Sequence, residues 1–296
     1  MPSTDRLNRT LWTLTFVLLF AIAILLLRDM KHEDSGTASA QNDLENIRNR
    51  KSIRAGYVSN PPSCIIDPNT KKVSGIVAEA MESAAAAANL KVEWVEEVGF
   101  GAMIEGLRAN RYDIVPCAIW PTAARAMQAD FTNPLFYSGV GIYVRSKETR
   151  FDNGFSKINA PDVRIATIDG EMGEAIARSD FSRARTVALP QLSEITTVLL
   201  NVKENKADVA FVETYFATKF LDANPGSLKN IAAGVPVRIF PNTILLRLNQ
   251  PELKSFLNTA FDEQANLGAI DKLLDKYEPR PNTFYRIRKP YQQISK

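Results

Sequence analysis

The sequence has very few residues of the types used in nucleophilic, metal and histidine-based catalysis. Among 296 residues it contains one histidine, His32, and two cysteines, Cys64 and Cys117. It shows no Ser-His or Cys-His arrangement, no cluster of metal ligands and no phosphate-binding loop. These absences argue against an enzyme, a metal site and a bound cofactor. Catalysis by carboxylates alone, using Glu171 and Glu213, stays open.

The chain also lacks a concentration of charge of one sign. Its 36 Lys and Arg residues and 33 Asp and Glu residues are scattered along the chain and give a formal net charge of +3. A protein that binds nucleic acid usually carries a basic stripe or cluster. The short basic run at 286–289 is expected to belong to a solvated tail over residues 286–296, so no nucleic-acid partner is predicted.

One long segment carries no charge at all. It runs over Leu11–Leu27 and consists mostly of Leu, Ile, Val, Phe and Ala. A helix of about this length can just cross the hydrocarbon core of a bilayer. We therefore predict a transmembrane signal anchor over residues 10–28. Arg6 and Arg9 precede it and favour a cytoplasmic N-terminus at residues 1–9.

A cleaved signal peptide is the alternative to an anchor. The Ala-Ser-Ala sequence at 38–40 would suit a signal peptidase, but it lies well beyond the apolar run. That run is also longer than the roughly 7–15 residues typical of a cleaved signal. Under either interpretation, the rest of the chain is expected to be exported across the membrane. Residues 29–50 are polar and are predicted to form a stalk.

Strands and helices alternate twice along the exported part. The first series begins with a strand at 52–58 and includes a compact apolar strand at 113–119, and a second series begins with a strand at 164–168. Such alternation predicts an α/β protein whose sheets are joined by crossover helices. Ligands in such sheets bind at the carboxyl ends of strands. Two further helices, beginning at Pro251 and spanning 269–277, could belong to either series.

Several motifs occur in an order that is typical of one family. Residues 111–115, 122–125 and 129–134 are similar to a "G-x-Y-D" strand, a "T-P-E-R" turn and a "D-F-S-x-P-Y" segment. Residues 206–213 resemble a later "G-x-x-D-A-x-x-x-D" strand. On this ordered set, the chain from 52 to about 277 resembles the type 2 periplasmic solute-binding proteins, in the branch that includes the polar amino-acid binders.

The resemblance implies a two-lobed α/β fold with a ligand cleft between the lobes, in addition to the N-terminal transmembrane helix. Lobe 1 would comprise residues 51–145 and 240–285, and lobe 2 residues 146–239, with two crossing segments as the hinge. A ligand that contacts both lobes would favour the closed state.

The resemblance also implies the function. The protein would capture an amino acid or a related small carboxylate- or amine-bearing solute for an ABC permease, on the periplasmic side of the inner (cytoplasmic) membrane. If the signal is cleaved, it would be soluble in the periplasm. A ligand-sensing ectodomain that signals through a partner protein is the alternative. A small dehydratase-like enzyme on the same fold is less favoured.

Two charged residues are the main ligand-binding candidates. Arg125 matches the arginine that grips the ligand's α-carboxylate in the family, and a planar guanidinium suits a carboxylate because it can donate two parallel bonds. Glu213 falls where relatives carry an Asp that pairs with the ligand's amino group, although it is one methylene longer. A solvated surface charge is the alternative for each.

The remaining candidates flank these two. Gly170, Glu171 and Met172 lie between a strand and a helix, where relatives carry Gly-Thr-Thr, and backbone N–H groups at a helix start can bind an anion. Trp120 stands where relatives carry a ligand-contacting Thr or Ser. Its ring would either form an aromatic wall of the ligand site or pack in the hydrophobic core. Thr122 can cap the helix that follows it.

Ala118 and Asn60 complete the predicted ligand-binding set. In the family's fold, Cys64 and Cys117 lie at the ends of neighbouring strands. The resemblance therefore permits a disulfide near the pocket in an oxidising compartment. Two buried free cysteines are the alternative.

Overall fold

The computed structural model describes residues 42–191 and 193–287. The predicted cytoplasmic segment, the predicted transmembrane helix at 10–28 and most of the predicted stalk lie outside the described residues. None of the helices in those described ranges is long and apolar enough to cross a membrane. The chain divides into two units after Asp43, and the second unit begins at Leu44.

The first described helix, α1, covers Asp43–Arg50. Two of its side chains, Leu44 and Ile47, are buried in a hydrophobic core. Residues three apart lie on one face of a helix, so this pair forms a short apolar stripe on an otherwise polar segment. The predicted stalk is therefore wrong for its last eight residues: they form a helix that packs against the folded domain.

The first α/β series contains six strands and three helices within the described residues. Strand β5 is buried along its whole length, which fits a central strand, whereas β4 alternates between exposed and half-buried positions and fits an edge. The elements are β1 (Ser52–Tyr57), β2 (Ile65–Ile66), β3 (Val73–Ser74), α2 (Ile76–Ala87), β4 (Lys91–Glu97), α3 (Met103–Arg108), β5 (Ile114–Ile119), α4 (Ala123–Ala126) and β6 (Ala129–Phe131).

The second series follows directly. Strands β8, β9 and β10 are parallel, and β7 pairs with β10 in the antiparallel direction. The elements are β7 (Phe136–Arg145), a 3-10 helix (Phe155–Ile158), β8 (Arg164–Ile168), α5 (Met172–Asp180), β9 (Arg185–Leu189), α6 (Thr196–Lys203), β10 (Val209–Glu213), α7 (Thr214–Ala223) and β11 (Leu228–Asn230).

The last part of the chain returns to the first series. It comprises β12 (Arg238–Arg247), α8 (Pro251–Asn266), α9 (Ala269–Tyr277) and β13 (Phe284–Arg286). Helices α8 and α9 pack against α2. Leu257 and Leu274 share a core with Met81, so the two helices that the sequence left unassigned belong with the first series.

One strand joins the two series into a continuous sheet. The strand order is β4-β1-β5-β12-β7-β10-β8-β9. In β12, residues 238–242 pair with β7, and residues 243–246 pair with β5. Strand β12 therefore crosses from one half of the molecule to the other, beside β7.

The predicted lobe boundaries stay a prediction, with one correction. Residues Val140–Arg145 were assigned to lobe 1, but they pair with β10 and β11. Val140, Ile142 and Val144 lie in a core with Ile165 and other residues of the second series. Because these side chains of β7 are buried in the core of the second series, lobe 2 begins within β7.

The C-terminal strand β13 was not predicted. It pairs with β7 at residues 136–138. The Arg286 side chain, expected in a solvated tail, is 9% exposed and is ion-paired with Glu278 at 2.8 Å, with Asp271 at 3.4 Å and with Asp275. The expectation of a solvated tail is wrong for this residue because three carboxylates compensate its charge.

Candidate functional site

The predicted ligand-binding residues lie at the carboxyl ends of strands from both series. Trp120 and Arg125 follow β5, Gly170 follows β8, and Glu213 is the last residue of β10. Ligands in α/β sheets bind at such strand ends, where side chains and helix starts converge. This part of the molecule is therefore the candidate site.

Arg125 is held against the end of β5 by two contacts. Its backbone N–H donates to the hydroxyl of Thr122 at 3.2 Å, which makes Thr122 the N-cap of α4. Its guanidinium Nη1 donates to the carbonyl oxygen of Trp120 at 2.9 Å. Burial lowers the pKa of Arg125, and the negative charge of Glu171 from the second series opposes this. Arg125 therefore interacts electrostatically with Glu171, a carboxylate of the other half of the molecule.

Trp120 is fixed by β12. Its ring stacks on Phe240, with centroids 4.4 Å apart and planes 17° apart. Its indole N–H donates to the Oδ1 atom of Asn242 at 3.0 Å. The side chain is half-buried. Of the two predicted roles, the structure supports a packed position, since one ring face is covered by Phe240.

Asn242 joins Trp120 to Ser138 through hydrogen bonds. The Nδ2 atom of Asn242 donates to the Ser138 hydroxyl oxygen at 2.9 Å. Ser138 lies near the Glu213 carboxyl group, and its hydroxyl acts to lower the pKa of that group. Asn242 and Ser138 are both buried. Together with the bond between Trp120 and Asn242, the bond from Asn242 to Ser138 connects the end of β5 with β7 through β12.

Asn242 and Ser138 are not among the residues predicted from the sequence. A signal was present for the first, because Asn242 and Thr243 are polar residues directly before the apolar residues Ile244–Leu246 of one strand. A polar side chain at a buried strand position needs hydrogen-bond partners. Ser138 carried no comparable signal.

Glu213 has an unusual environment for a carboxylate. The residue is partly buried at the end of β10. Burial raises the pKa of Glu213 to about 7, although the nearby Ser138 hydroxyl acts to lower it. Burial likewise raises the pKa of neighbouring Tyr143 to about 12, and the charge of Glu213 adds to that rise. A cation bound at Glu213 would favour its ionised form.

At the start of α5, one donor of the predicted anion site has a partner within the protein, and the site itself stays a prediction. The backbone N–H of Gly170 donates to the Oε2 atom of Glu174 at 2.8 Å. The other carboxylate oxygen of Glu174 pairs with Arg178 at 2.6 Å. The N–H of Gly170 is therefore satisfied inside the protein rather than held for a ligand. Glu171 is exposed at the helix N-cap, and Met172 is the first residue of α5.

Asn60, Ala118 and the two cysteines lie together beside β5. The Nδ2 atom of Asn60 donates to the carbonyl oxygen of Cys117 at 2.9 Å. Cys64 and Cys117 form a disulfide, with Cα atoms 5.3 Å apart. Ala118, the next residue, has a φ angle of 58°, in the left-handed region that non-glycine residues seldom adopt. The loop after β1 is thus tied to the end of β5.

The site's chemistry is that of a polar binding surface. The candidate residues include one guanidinium, Arg125, and two carboxyl groups, Glu171 and Glu213, together with the half-buried ring of Trp120. In residues 42–191 and 193–287, no group of three or more His, Cys, Asp or Glu side chains is arranged to hold a metal ion. The charged groups suit a small molecule that carries both a carboxylate and an amine.

Comparison with known proteins gives consistent matches. Residues 53–279 match the profile of the bacterial extracellular solute-binding proteins, family 3. The "Probable histidine-binding protein" of Campylobacter jejuni subsp. jejuni is 24% identical over 217 residues, which cover 70% of this chain and 77% of the relative. The "Arginine-binding extracellular protein ArtP" of Bacillus subtilis is 21% identical over 207 residues, which cover 69% and 78%.

A solved structure shows the same fold. The ancestral amino acid-binding protein AncCDT-1, described as a precursor of cyclohexadienyl dehydratase, superimposes with a TM-score of 0.63 at 23% identity. The match covers 80% of this chain and 99% of that one. The prediction of a two-lobed periplasmic-binding-protein fold is confirmed. Because the matching profile spans well over half of the chain, the protein belongs to the bacterial extracellular solute-binding proteins of family 3 and is a solute-binding protein.

Proposed function

We propose that this protein binds an amino acid, or a closely related solute with a carboxylate and an amine, between its two lobes. Arg125 would receive the carboxylate through its planar pair of N–H donors. Glu213 would receive the ammonium group. The observation that carries this proposal is the position of the two charged residues at carboxyl ends of strands, since Arg125 follows β5 and Glu213 is the last residue of β10.

A basic amino acid is the first candidate ligand. Glu171 and Glu213 provide two negative charges against the single positive charge of Arg125. A ligand with one carboxylate and two cationic groups would balance this set better than a neutral amino acid. The names of the two relatives, a histidine-binding and an arginine-binding protein, support the same class.

In the cell, the bound solute would be passed to an ABC permease on the periplasmic side of the inner membrane. The apolar segment at 10–28 would tether the domain next to that permease. Signalling through a partner protein is the alternative use of the same site. It would keep the ligand chemistry and change only the protein that detects the closed state.

A dehydratase-like activity is a second candidate, favoured by one observation. The pKa of Glu213, about 7, would suit a general acid or base at neutral pH. Burial accounts for this value without catalysis, and the two relatives carry the names of binding proteins. Binding without turnover therefore explains the same residue with fewer assumptions.

A thermal-shift screen of the purified full chain tests the proposal. The panel comprises L-arginine, L-lysine, L-histidine, L-glutamine, agmatine, putrescine and succinate. A true ligand at a hundredfold excess over its Kd should stabilise the folded state by about 2.7 kcal/mol. NMR of the mixture after incubation would show the ligand unchanged. No shift with any amino acid would contradict the proposal, and conversion of the ligand would favour the enzyme.

A further inference from the structure

Strand β5 contains a bulge just before the candidate site. The stretch from Val115 to Ile119 in β5 lies against the shorter stretch from Leu245 to Thr243 in β12. The residues between, 116–118, therefore cannot all pair with β12, and they are named the β5 bulge. A bulge bends its strand and redirects the side chains that follow it.

The β5 bulge has a backbone that a regular strand does not have. Pro116 has no N–H to donate to a neighbouring strand. Ala118 has a φ angle of 58°, in the left-handed region that residues with a side chain seldom adopt. Such a conformation persists only where the surrounding contacts hold it. The contacts of the β5 bulge therefore decide where the end of β5 lies.

The loop after β1 holds Cys117, the middle residue of the β5 bulge, in two ways. The Cys117 side chain is bonded to Cys64 by the disulfide. The Cys117 carbonyl oxygen accepts a hydrogen bond from the Nδ2 atom of Asn60 at 2.9 Å. Cys117 is fully buried, and a buried carbonyl oxygen needs a donor. The amide of Asn60 supplies it.

The loop that makes both contacts is closed on itself. The N–H of Asn60 donates to the carbonyl oxygen of Cys64 at 3.0 Å, and the N–H of Cys64 donates to the carbonyl oxygen of Asn60 at 2.9 Å. The Asn60 amide and the disulfide therefore act on Cys117 from fixed relative positions. Because the amide of Asn60 donates to the backbone of β5, this side chain has a role apart from the ligand contact that the sequence predicts.

The end of β5 connects the β5 bulge with the candidate site. The carbonyl oxygen of Ile119 accepts a hydrogen bond from the Thr243 hydroxyl at 2.6 Å. The next residue, Trp120, accepts from Arg125 through its carbonyl oxygen and donates to Asn242 through its indole N–H. A displaced bulge would move both of these groups of Trp120. The guanidinium of Arg125 would then lose the acceptor that orients it.

We propose that Asn60 is a positioning residue for the ligand site. Together with the disulfide it holds the β5 bulge, and the bulge sets the direction in which Trp120 and Arg125 follow the strand. The use of Arg125 to bind a carboxylate rests on the proposed function. The contact between Asn60 and Cys117 does not depend on any ligand.

The indole NMR signals of the ligand-free full chain test this inference. Trp120→Phe and Trp94→Phe assign two of the three indole N–H signals. The Trp94 indole donates to Glu82 at 3.0 Å, between β4 and α2, and serves as the internal reference. Asn60→Asp keeps the shape of the side chain but removes its donor. It should shift the Trp120 signal and speed hydrogen exchange of that N–H about fivefold or more, while the Trp94 signal stays in place.

Two further samples show whether the effect belongs to the hold on Cys117. Ser59→Ala changes the exposed neighbour of Asn60 and should leave both indole signals unchanged. Reduction of the disulfide in Asn60→Asp removes the second hold on Cys117. It should shift the Trp120 signal further than either change alone, because both contacts act on one residue.

Two results would overturn the proposal. One is an unchanged Trp120 signal in Asn60→Asp. The other is a shift of equal size in the Trp94 signal, which would indicate a general loosening of the fold. If Asn60→Asp fails to fold, Asn60→Ala serves instead, because it removes the amide from a half-buried position without adding a charge. The same two results would then decide.

Binding of L-arginine separates this inference from the proposed function. By calorimetry, Asn60→Ala should weaken L-arginine binding about tenfold, and much less in the Arg125→Ala background, because it acts through Arg125. If the wild type binds no amino acid, the proposed function fails, while the indole signals still decide whether Asn60 holds the β5 bulge. If L-arginine binds and Asn60→Ala weakens its binding equally with and without Arg125, Asn60 contacts the ligand directly and the inference fails alone.

Discussion

The guanidinium group of Arg125 donates a hydrogen bond to the carbonyl oxygen of Trp120, at 2.9 Å. A guanidinium has five N–H donors, so one internal bond can orient it without exhausting its capacity to bind a carboxylate. The residue that would bind the ligand is thus directed by the backbone of its neighbour. Trp120 in turn is held by Phe240 and Asn242 of β12.

Replacing Arg125 should selectively weaken the binding of solutes that carry a carboxylate. Arg125→Ala is expected to weaken L-arginine binding by about 3 kcal/mol, or more than a hundredfold in Kd, because a charged pair in a desolvated site is lost. Agmatine, which lacks the carboxylate, should lose much less. Calorimetry with both ligands measures this, with Arg108→Ala, at an exposed position of α3, as the control. Equal losses for both ligands would show that Arg125 does not contact the carboxylate.

The free energy of unfolding of the ligand-free protein should decrease as pH rises because of Glu213. Its pKa is raised from 4.5 to about 7, so the folded state keeps a proton that the unfolded state releases. The stabilisation is full below pH 4.5 and is lost as pH rises through 7. Glu213→Gln does not lose this stabilisation. The difference in free energy of unfolding between Glu213→Gln and the wild type should therefore shift in favour of the variant by up to about 3 kcal/mol between pH 4 and pH 8.

Urea unfolding at several pH values measures this effect. Glu93→Gln is the matched control, because it removes an exposed carboxylate from β4. Its stability should follow that of the wild type at every pH. A difference between Glu213→Gln and the wild type that does not change with pH would mean that Glu213 titrates as an ordinary carboxylate.

The disulfide between Cys64 and Cys117 should contribute substantially to stability. It closes a segment in which the two residues are 53 positions apart. Constraining an unfolded loop of that length corresponds to about 4 kcal/mol in the chain-entropy model. Cys64→Ala and Cys117→Ala, alone or together, should therefore lower the urea midpoint to the same extent. A reducing agent should lower the wild type to that level and leave the double variant unchanged; a wild type insensitive to reduction would contradict this.

Ala118 should tolerate glycine better than an ordinary buried alanine does. Its φ angle of 58° costs a non-glycine residue about 1–2 kcal/mol, and glycine relieves this. The relief offsets the lost methyl group and the added flexibility of the unfolded chain, so Ala118→Gly should lie close to the wild type. Ala55→Gly, at a buried position in β1, should cost about 1.5 kcal/mol. Equal losses at both positions would argue against a strained backbone at Ala118.

Helix α1 should be part of the folded domain in solution. Ile47 is fully buried, so Ile47→Ala is expected to cost about 2–4 kcal/mol by leaving a cavity. The neighbouring Arg48 is exposed, and Arg48→Ala should change stability by less than about 0.5 kcal/mol. Chemical unfolding of both variants measures the difference. Equal stability of the two would restore the interpretation of this segment as a stalk.

Local patterns predicted a large part of the fold. The strand expected at 113–119 is β5 (Ile114–Ile119), and the helix expected at 269–277 is α9 (Ala269–Tyr277). These predictions succeeded because apolar periodicity is a property of a short stretch of chain. The ordered motifs also identified the family. Helix α1 was missed because two apolar residues are too few to show a period.

The sequence by itself therefore determined the α/β class, the family and the charged residues to which a ligand-binding role is proposed. Only the tertiary structure decided how those residues are supported. Asn242 meets Trp120 and Ser138 from positions 122 and 104 residues away. The raised pKa of Glu213 likewise depends on which groups are buried around it. Burial and hydrogen-bond partners come from contacts between distant segments, so no local pattern could predict them.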